Sequence, residues 1–178
     1  MKNFKDKKIL LIICGGIAAY KSLETIRILK KNECEIKTIL TKNAKEFVTP
    51  LSVSSLSKGK VYDDLFSVEN ENEMDHIALS RWADLILVEP ATANTISKLA
   101  KGSSDDLAST VILASNKPIF LVPAMNVRMW EHPSTKENLN ILKNYSEFLK
   151  SKLYGEEIIF LYLQINVLLF GIKNSLKE

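Results

Sequence analysis

Two histidines are the residues best suited to proton transfer in this chain, and each adjoins an acid: Met74-Asp75-His76-Ile77 and Glu131-His132-Pro133. Imidazole exchanges a proton near neutral pH, and a carboxylate beside it could orient the ring. Adjacent residues on a helix point apart, so Asp75 need not face His76, and a capping or surface histidine accounts for the same residues. His132 is the weaker candidate, because Pro133 reads as the start of a following helix. Two isolated histidines make no metal site, and no metal is expected.

Four further groups combine small, hydroxyl and amide residues. Gly15-Gly16-Ile17-Ala18-Ala19-Tyr20-Lys21 follows an apolar run. Its glycines would let backbone approach a phosphate at the start of a helix, although the pattern is neither GxGxxG nor GxxxxGK[ST], and a tight turn reads equally well. Thr41 and Asn43 lie in Thr41-Lys42-Asn43-Ala44, where either a ligand contact or a helix cap fits. Pro90-Ala91-Thr92-Ala93-Asn94-Thr95 leaves room for a polar ring edge or a phosphate, and also has the composition of a capped helix. In Pro123-Ala124-Met125-Asn126-Val127-Arg128-Met129-Trp130, large apolar groups flank an amide that both donates and accepts, and a packed turn with a solvent-facing Asn126 fits equally well.

The elements that must carry these groups alternate. Lys8 to Cys14 reads as a strand, and Ile17 to Lys31 has helical spacing with Ala18, Leu23, Ile26, Ile28 and Leu29 on one side. Glu35 to Leu40 reads as a second strand. A helix over Ala44 to Ser57 should be interrupted at Pro50. Val61 to Val68 is ambiguous and Glu69 to Glu73 reads as a loop. Met74, Ile77, Ala78 and Trp82 are spaced as a helix leading into a buried strand at Leu85 to Val88, with Pro90 and Asn94 marking its exit. A helix to about Gly102, a helix from Asp106 to Ser115 capped by Asp105, a strand at Ile119 to Val122 and a helix over Thr135 to about Lys150 complete the series. An order near βαβαβαβ predicts an α/β fold, a mostly parallel sheet with helices on both faces. Ligands of such sheets sit beyond the carboxyl ends of the strands, where the four groups fall.

A chain of 178 residues suits one domain with one core and leaves no room for a second catalytic domain. Its 24 basic residues are set against 21 acidic ones, without a dominant basic block, so neither nucleic acid nor a membrane is expected as a partner. No run reaches the roughly 18 apolar residues of a spanning helix. The polar start MKNFKDKK reads as a lead into the first strand. Two cysteines, Cys14 and Cys34, give neither a disulfide framework nor a zinc module, so a reducing, cytoplasmic setting is expected.

Together, GGIAAYK at 15 to 21, MDHIALSRWAD at 74 to 84, PATANT at 90 to 95 and PAMNVRMW at 123 to 130 resemble the flavin-containing cysteine decarboxylases, above all the phosphopantothenoylcysteine decarboxylases of coenzyme A biosynthesis. The likeness covers about residues 8 to 140. It implies a flavodoxin-like three-layer sandwich that binds FMN and assembles as a homotrimer or a higher assembly of trimers, with neighbouring chains sharing each site. By this resemblance Gly16 and Ile17 approach the FMN phosphate and Thr41 and Asn43 contribute from the next loop. Thr92, Asn94 and Thr95 match the flavin-contacting motif usually written PASANT, with a threonine for its serine. Ala124 and Met125 line the flavin and substrate cleft, and Asn126 positions the cysteinyl end of the substrate. His76 matches the catalytic histidine, and Arg81 a basic position that assists an anionic substrate or the subunit interface. The implied reaction converts 4'-phosphopantothenoylcysteine to 4'-phosphopantetheine. Oxidation of the cysteine side gives a thioaldehyde-like electron sink, carbon dioxide leaves, and reduction restores the thiol.

The resemblance stops at the carboxyl end. Family members continue into a glycine-rich substrate clamp with an Ala-Cys-Gly signature, whereas residues 151–178 contain no Cys and carry apolar runs at Ile158 to Leu163 and Val167 to Phe170. The chain therefore divides into an FMN-binding domain over 1–150 and a divergent terminal segment over 151–178. That departure leaves two further readings open: a catalytically impaired or regulatory FMN-binding oligomer, or another flavin-dependent cysteine decarboxylase.

Overall fold

A computed structural model of the protein describes residues 5–63 and 75–144. The segment 151–178 and most of the ambiguous stretch after Tyr62 lie outside the described residues, as does the end of the helix expected to reach Lys150.

Five strands, β1 (Lys8–Ile13), β2 (Glu35–Leu40), β3 (Val61–Tyr62), β4 (Leu85–Ala91) and β5 (Ile119–Pro123), form one sheet in the order β3-β2-β1-β4-β5, with every pairing parallel. Leaving out the two-residue β3, the order becomes 2-1-3-4, the opening of the flavodoxin arrangement. Chain direction across the sheet reverses at β1, so the crossovers leaving β1 and β4 depart to opposite faces. A crevice opens between them at the carboxyl edge, where ligands of open α/β sheets bind.

Strand alternation sorts the core into two layers. One apolar cluster holds Ile9, Leu11, Ile13, Leu85 and Leu87 against Ala19, Ile26 and Leu29 of α1 (Ala19–Lys31) and Val53 of α2 (Pro50–Ser57). The other holds Leu10, Ile12, Ile86 and Val88 against α3 (Asp75–Trp82), α4 (Ala93–Ala100), α5 (Leu107–Leu113) and α7 (Pro133–Lys143) through Leu79, Ile96, Leu99, Val111 and Leu139. The sheet is thus the middle of three layers. Central strands are buried on both faces, which is why β1 reads as an unbroken apolar run rather than an alternating one.

Local chemistry sets the boundaries. Pro50 begins α2 at its first position, where a missing N–H costs nothing, and Thr49 caps it by accepting from the Ser52 amide. The expected helix over 44–57 is therefore split into a 3-10 turn over Lys42–Glu46 and α2. Pro90 does not end its strand as expected: β4 runs on to Ala91, and the missing proline donor is absorbed by a register shift against β5 between Val88 and Ala91. The α5 cap is Asp106 rather than Asp105. Its Oδ1 accepts from the Ser109 amide at 2.8 Å while the Ser109 hydroxyl accepts from the Asp106 amide, a reciprocal capping box. Asp105 and Asp106 both accept from Lys98 Nζ, at 2.8 and 2.7 Å, tying α4 to the loop before α5.

Candidate functional site

The carboxyl ends of β1, β2 and β4 converge on one small cradle. A Cβ placed on Gly15 would lie 2.5 Å from Asn43 Cβ and 2.7 Å from the Asn43 carbonyl carbon, so the turn after β1 is in direct contact with the turn after β2. Only glycine permits that approach. Gly16 faces the third exit: a Cβ there would stand 3.6 Å from Thr92 Cγ2. The Thr41 amide donates to the Ile13 carbonyl at 3.1 Å, and the Ala124 amide, just past β5, donates to the Ala91 carbonyl at 3.1 Å. Backbone bonds thus join neighbouring exits and hold Gly15, Gly16, Thr41, Asn43, Thr92 and Ala124 along the same edge of the sheet.

Each position has a local reason. The Gly16 carbonyl accepts from the Ala19 amide at 2.9 Å and the Ala18 carbonyl from the Lys21 amide at 3.0 Å, turning the chain into α1 with the positive end of its dipole at this edge. Neither α1 nor α4 carries an acid in its first turn, so both helix starts direct an unopposed partial positive charge at the edge. Thr92 caps α4, its Oγ1 accepting from the Thr95 amide at 3.2 Å and lying 3.0 Å from the Thr95 hydroxyl. A hydroxyl used this way keeps further hydrogen-bonding capacity, so the cap leaves Thr92 able to meet a ligand as well. The Asn94 side chain is exposed one residue into the same turn. Asn126 caps α6 (Val127–Glu131) through Oδ1, which accepts from the Arg128 amide at 2.8 Å, and its residue is exposed. Ile17 is 79% exposed beside Gly16, and Met125 is half-buried against the core. At Thr41 the hydroxyl makes no cap bond although the residue stands at the cap position.

His76 and Arg81 are placed differently. The α3 helix descends toward the amino edge, since just after it the Asp84 amide donates to the Lys8 carbonyl at 2.8 Å. Its first turn, with half-buried His76, therefore faces the carboxyl edge, while exposed Arg81 lies in the last turn at the opposite end. Among the described residues no hydrogen bond or ion pair joins either one to the cradle. His132 is a cap, its Nδ1 accepting from the Ser134 amide at 3.2 Å. Among the described residues no group of three His, Cys, Asp or Glu side chains could hold a metal, and no helix is long and apolar enough to cross a membrane.

Two buried groups were given no place near this edge by the sequence reading, which took Cys14 only as one of two cysteines and passed over Glu89. Cys14, far from Thr95 in the chain, lies beneath the start of α4; burial pushes its thiol up to about 11, against the pull of a hydrogen bond with Thr95. It is a protonated packing group at neutral pH, not a nucleophile. Glu89 is buried in β4, and burial pushes its carboxyl up to about 7, against the Thr25 hydroxyl and the Lys21 charge. A single acid inside the run Leu85 to Ala91 was the available signal.

The donor set of the cradle is uncharged: helix-start amides, the hydroxyls of Thr41, Thr92 and Thr95, and the amides of Asn43 and Asn94. With Ile17 and Met125 as apolar flanks, these residues fit a phosphate ester attached to a flat, polar-edged ring system. The space a Gly15 side chain would need is already filled by Asn43, so the cradle tolerates backbone only.

Comparison with known proteins agrees with this architecture. The chain is 46% identical over 142 residues to the coenzyme A biosynthesis bifunctional protein CoaBC of Borreliella burgdorferi, covering 80% of this chain and 36% of that protein. It is 43% identical over 137 residues to the CoaBC of Bacillus subtilis, covering 77% and 34%. The chain thus spans about a third of the length of these relatives. Among solved structures, a PPC decarboxylase variant complexed with pantothenoylaminoethenethiol superposes with a TM-score of 0.66 at 30% identity, covering 78% of each chain. The FMN-dependent cysteine decarboxylase SpaF superposes with a TM-score of 0.77 at 25% identity, covering 95% of this chain and 99% of that one. The profile of the family described as Flavoprotein matches residues 1–159. With that match and the relatives' identity over four-fifths of the sequence, the chain belongs to the Flavoprotein family.

Proposed function

We propose that the protein is an FMN-dependent decarboxylase acting on 4'-phosphopantothenoylcysteine and forming 4'-phosphopantetheine in coenzyme A biosynthesis. The observation that carries this reading is the cradle, where Gly15 fits against Asn43 and Gly16 against Thr92 at the crevice between β1 and β4. Similarity to CoaBC proteins and to a PPC decarboxylase supports the substrate.

In this reading the amides at Gly16 and Ile17 hold the cofactor phosphate in the field of α1, and Thr41 and Asn43 close its other side. Thr92, Asn94 and Thr95 hold the polar ring edge, with Thr92 fixed by its own capping bond. Ala124 and Met125 leave a narrow apolar wall. A bound flavin would supply a two-electron acceptor for the substrate's thiol-bearing carbon, so that the electron pair left when carbon dioxide departs from the adjacent carbon has a sink, and would return the two electrons afterwards. His76 exchanges the proton that accompanies this change, and Asn126 fixes the cysteinyl end so that its carboxylate is correctly oriented. Arg81, at the far end of α3, serves a neighbouring chain or the interface rather than its own cradle. A homotrimer, or a larger assembly of trimers, accounts for that separation, and two buried thiols suit a reducing cytoplasm.

Anaerobic incubation of the full chain with FMN and phosphopantothenoylcysteine tests the proposal. Carbon dioxide release with flavin bleaching and recovery is expected. Bleaching that persists without phosphopantetheine would locate a block in the reductive half; absence of both flavin reduction and product would sink the assignment.

A further inference from the structure

Glu89 is a buried acid that the reaction above does not use. Its strand neighbours on that face are apolar: Ile12 pairs with Val88, which sets Ile13 beside it on β1, and Val122 follows on β5. The helix covering it is α1. Ser22 Oγ donates to the Glu89 carbonyl at 2.7 Å, so the strand at Glu89 lies directly under the second turn of α1. Lys21 and Thr25 of the same helix face the carboxyl, and Lys21 is the charged group acting on it. Glu89 Oε2 is buried without a hydrogen-bond partner. The carboxyl therefore sits roughly one to two helical turns, on the order of 10 Å, from the amides that begin α1.

A carboxylate there and an anion on those amides draw on the same positive field, that of the α1 start and Lys21, and repel one another across a largely apolar interior. We propose that Glu89 is a proton-linked determinant of cofactor affinity: the cradle holds a phosphorylated flavin best when the Glu89 carboxyl is protonated, and binding draws a proton from solution. This rests on the flavin reading of the cradle and deepens it. The titration range follows from burial, which places the carboxyl of the free protein near 7. The phosphate ester itself titrates near pH 6 and is a dianion above pH 7, so the linkage shows between pH 7 and pH 9.

The test is the affinity of the full chain for FMN and for riboflavin, by quenching of flavin fluorescence, from pH 6.8 to 9. For FMN the Kd should rise on the order of tenfold across this window and then level off, whereas riboflavin, lacking the phosphate, should change by less than about twofold. Glu89→Gln should bind FMN as the wild type does at pH 6.8 and stay there to pH 9. Calorimetry of the wild type at pH 7.5 in two buffers of different ionisation enthalpy should show uptake of about half a proton per FMN, independently of any variant. A pH slope that survives in Glu89→Gln, an equal slope for riboflavin, or no proton uptake overturns the linkage while leaving the flavin reading intact. Failure of both flavins to bind at any pH overturns the flavin reading and this inference with it.

Discussion

Gly15 and Gly16 are neighbours in sequence and are expected to fail in opposite ways when replaced by alanine. The Gly15→Ala methyl would lie 2.5 Å from Asn43 Cβ, 2.7 Å from the Asn43 carbonyl carbon and 2.8 Å from its oxygen. Two of those atoms are backbone, so no rotamer change relieves the overlap and the β1 and β2 exits must separate. Overpacking of this kind costs about 1–3 kcal/mol. Replacing glycine also restricts the unfolded chain, which returns about 0.4–1 kcal/mol. The net expectation is destabilisation of about 1–2 kcal/mol, a fall in Tm of roughly 2–8 °C for a domain of this size. The Gly16→Ala methyl instead meets Thr92 Cγ2 at 3.6 Å, an ordinary contact. The apo protein should keep or slightly raise its Tm, yet the methyl stands where the cofactor phosphate is proposed to approach, so FMN affinity should drop at least about tenfold. Thermal unfolding without flavin and titration with FMN separate the two effects. Unchanged FMN affinity in Gly16→Ala would refute the location of the cradle, and wild-type stability in Gly15→Ala would refute the packing that builds it.

Glu89→Gln should also reshape stability without flavin. Burial raises this carboxyl from 4.5 to about 7, so the folded protein binds the proton more tightly than the unfolded chain. Stability from this group is full below pH 4.5 and is lost as pH rises toward 7. Urea unfolding should show the wild type losing about 2–3 kcal/mol more than the variant between pH 5 and pH 8, and a parallel pH dependence would contradict the burial argument. Asp106→Ala removes the α5 cap and one partner of Lys98, and should lower stability by about 1–2 kcal/mol in the same assay. A loss below about 0.3 kcal/mol would mean that water replaces the capping box. His76→Asn should retain FMN affinity within about twofold while product formation falls at least about a hundredfold, since general acid–base catalysis typically contributes that much. Turnover near the wild-type rate in that variant would remove His76 from the reaction.

Much of the fold was legible because burial on both faces leaves a plain trace. Glu35–Leu40 has the bounds its sequence indicates, and Pro50 divides its helix where a ring without an N–H must. Pro90 looks like a strand exit because a proline is costly inside a sheet, but the strand runs on to Ala91, with the proline accommodated by a register shift and the buried Glu89 by a raised pKa. Asp105 and Asp106 are both competent caps and both engage Lys98, so only Ser109, which bonds Asp106 alone, distinguishes them. The cradle's residue types could be read directly, whereas its contacts could not. Gly15 against Asn43 and Gly16 against Thr92 are long-range pairings set by strand order, and no local pattern encodes them.

The same geometry separates holding a cofactor from turning over a substrate. The cradle is built from backbone at strand exits whose central strands are fully buried, and it is cross-braced by the Thr41 to Ile13 and Ala124 to Ala91 bonds. Such a site needs little from mobile side chains and should bind its ligand whether or not chemistry follows. The groups assigned to chemistry stand apart from it: His76 in the first turn of α3, and Asn126 exposed at the start of the five-residue α6. Neither is bonded to the cradle within one chain among the described residues. Exposed Ile17, Tyr20, Val127 and Met129 lie on the same two approaches, α1 and α6. An apolar rim beside a preformed polar cradle favours a second surface closing over it, which would complete the surroundings of His76 and of Asn126, whose Oδ1 is already held by the α6 cap. Flavin affinity should therefore depend weakly on protein concentration, while specific turnover should rise with concentration until assembly is complete.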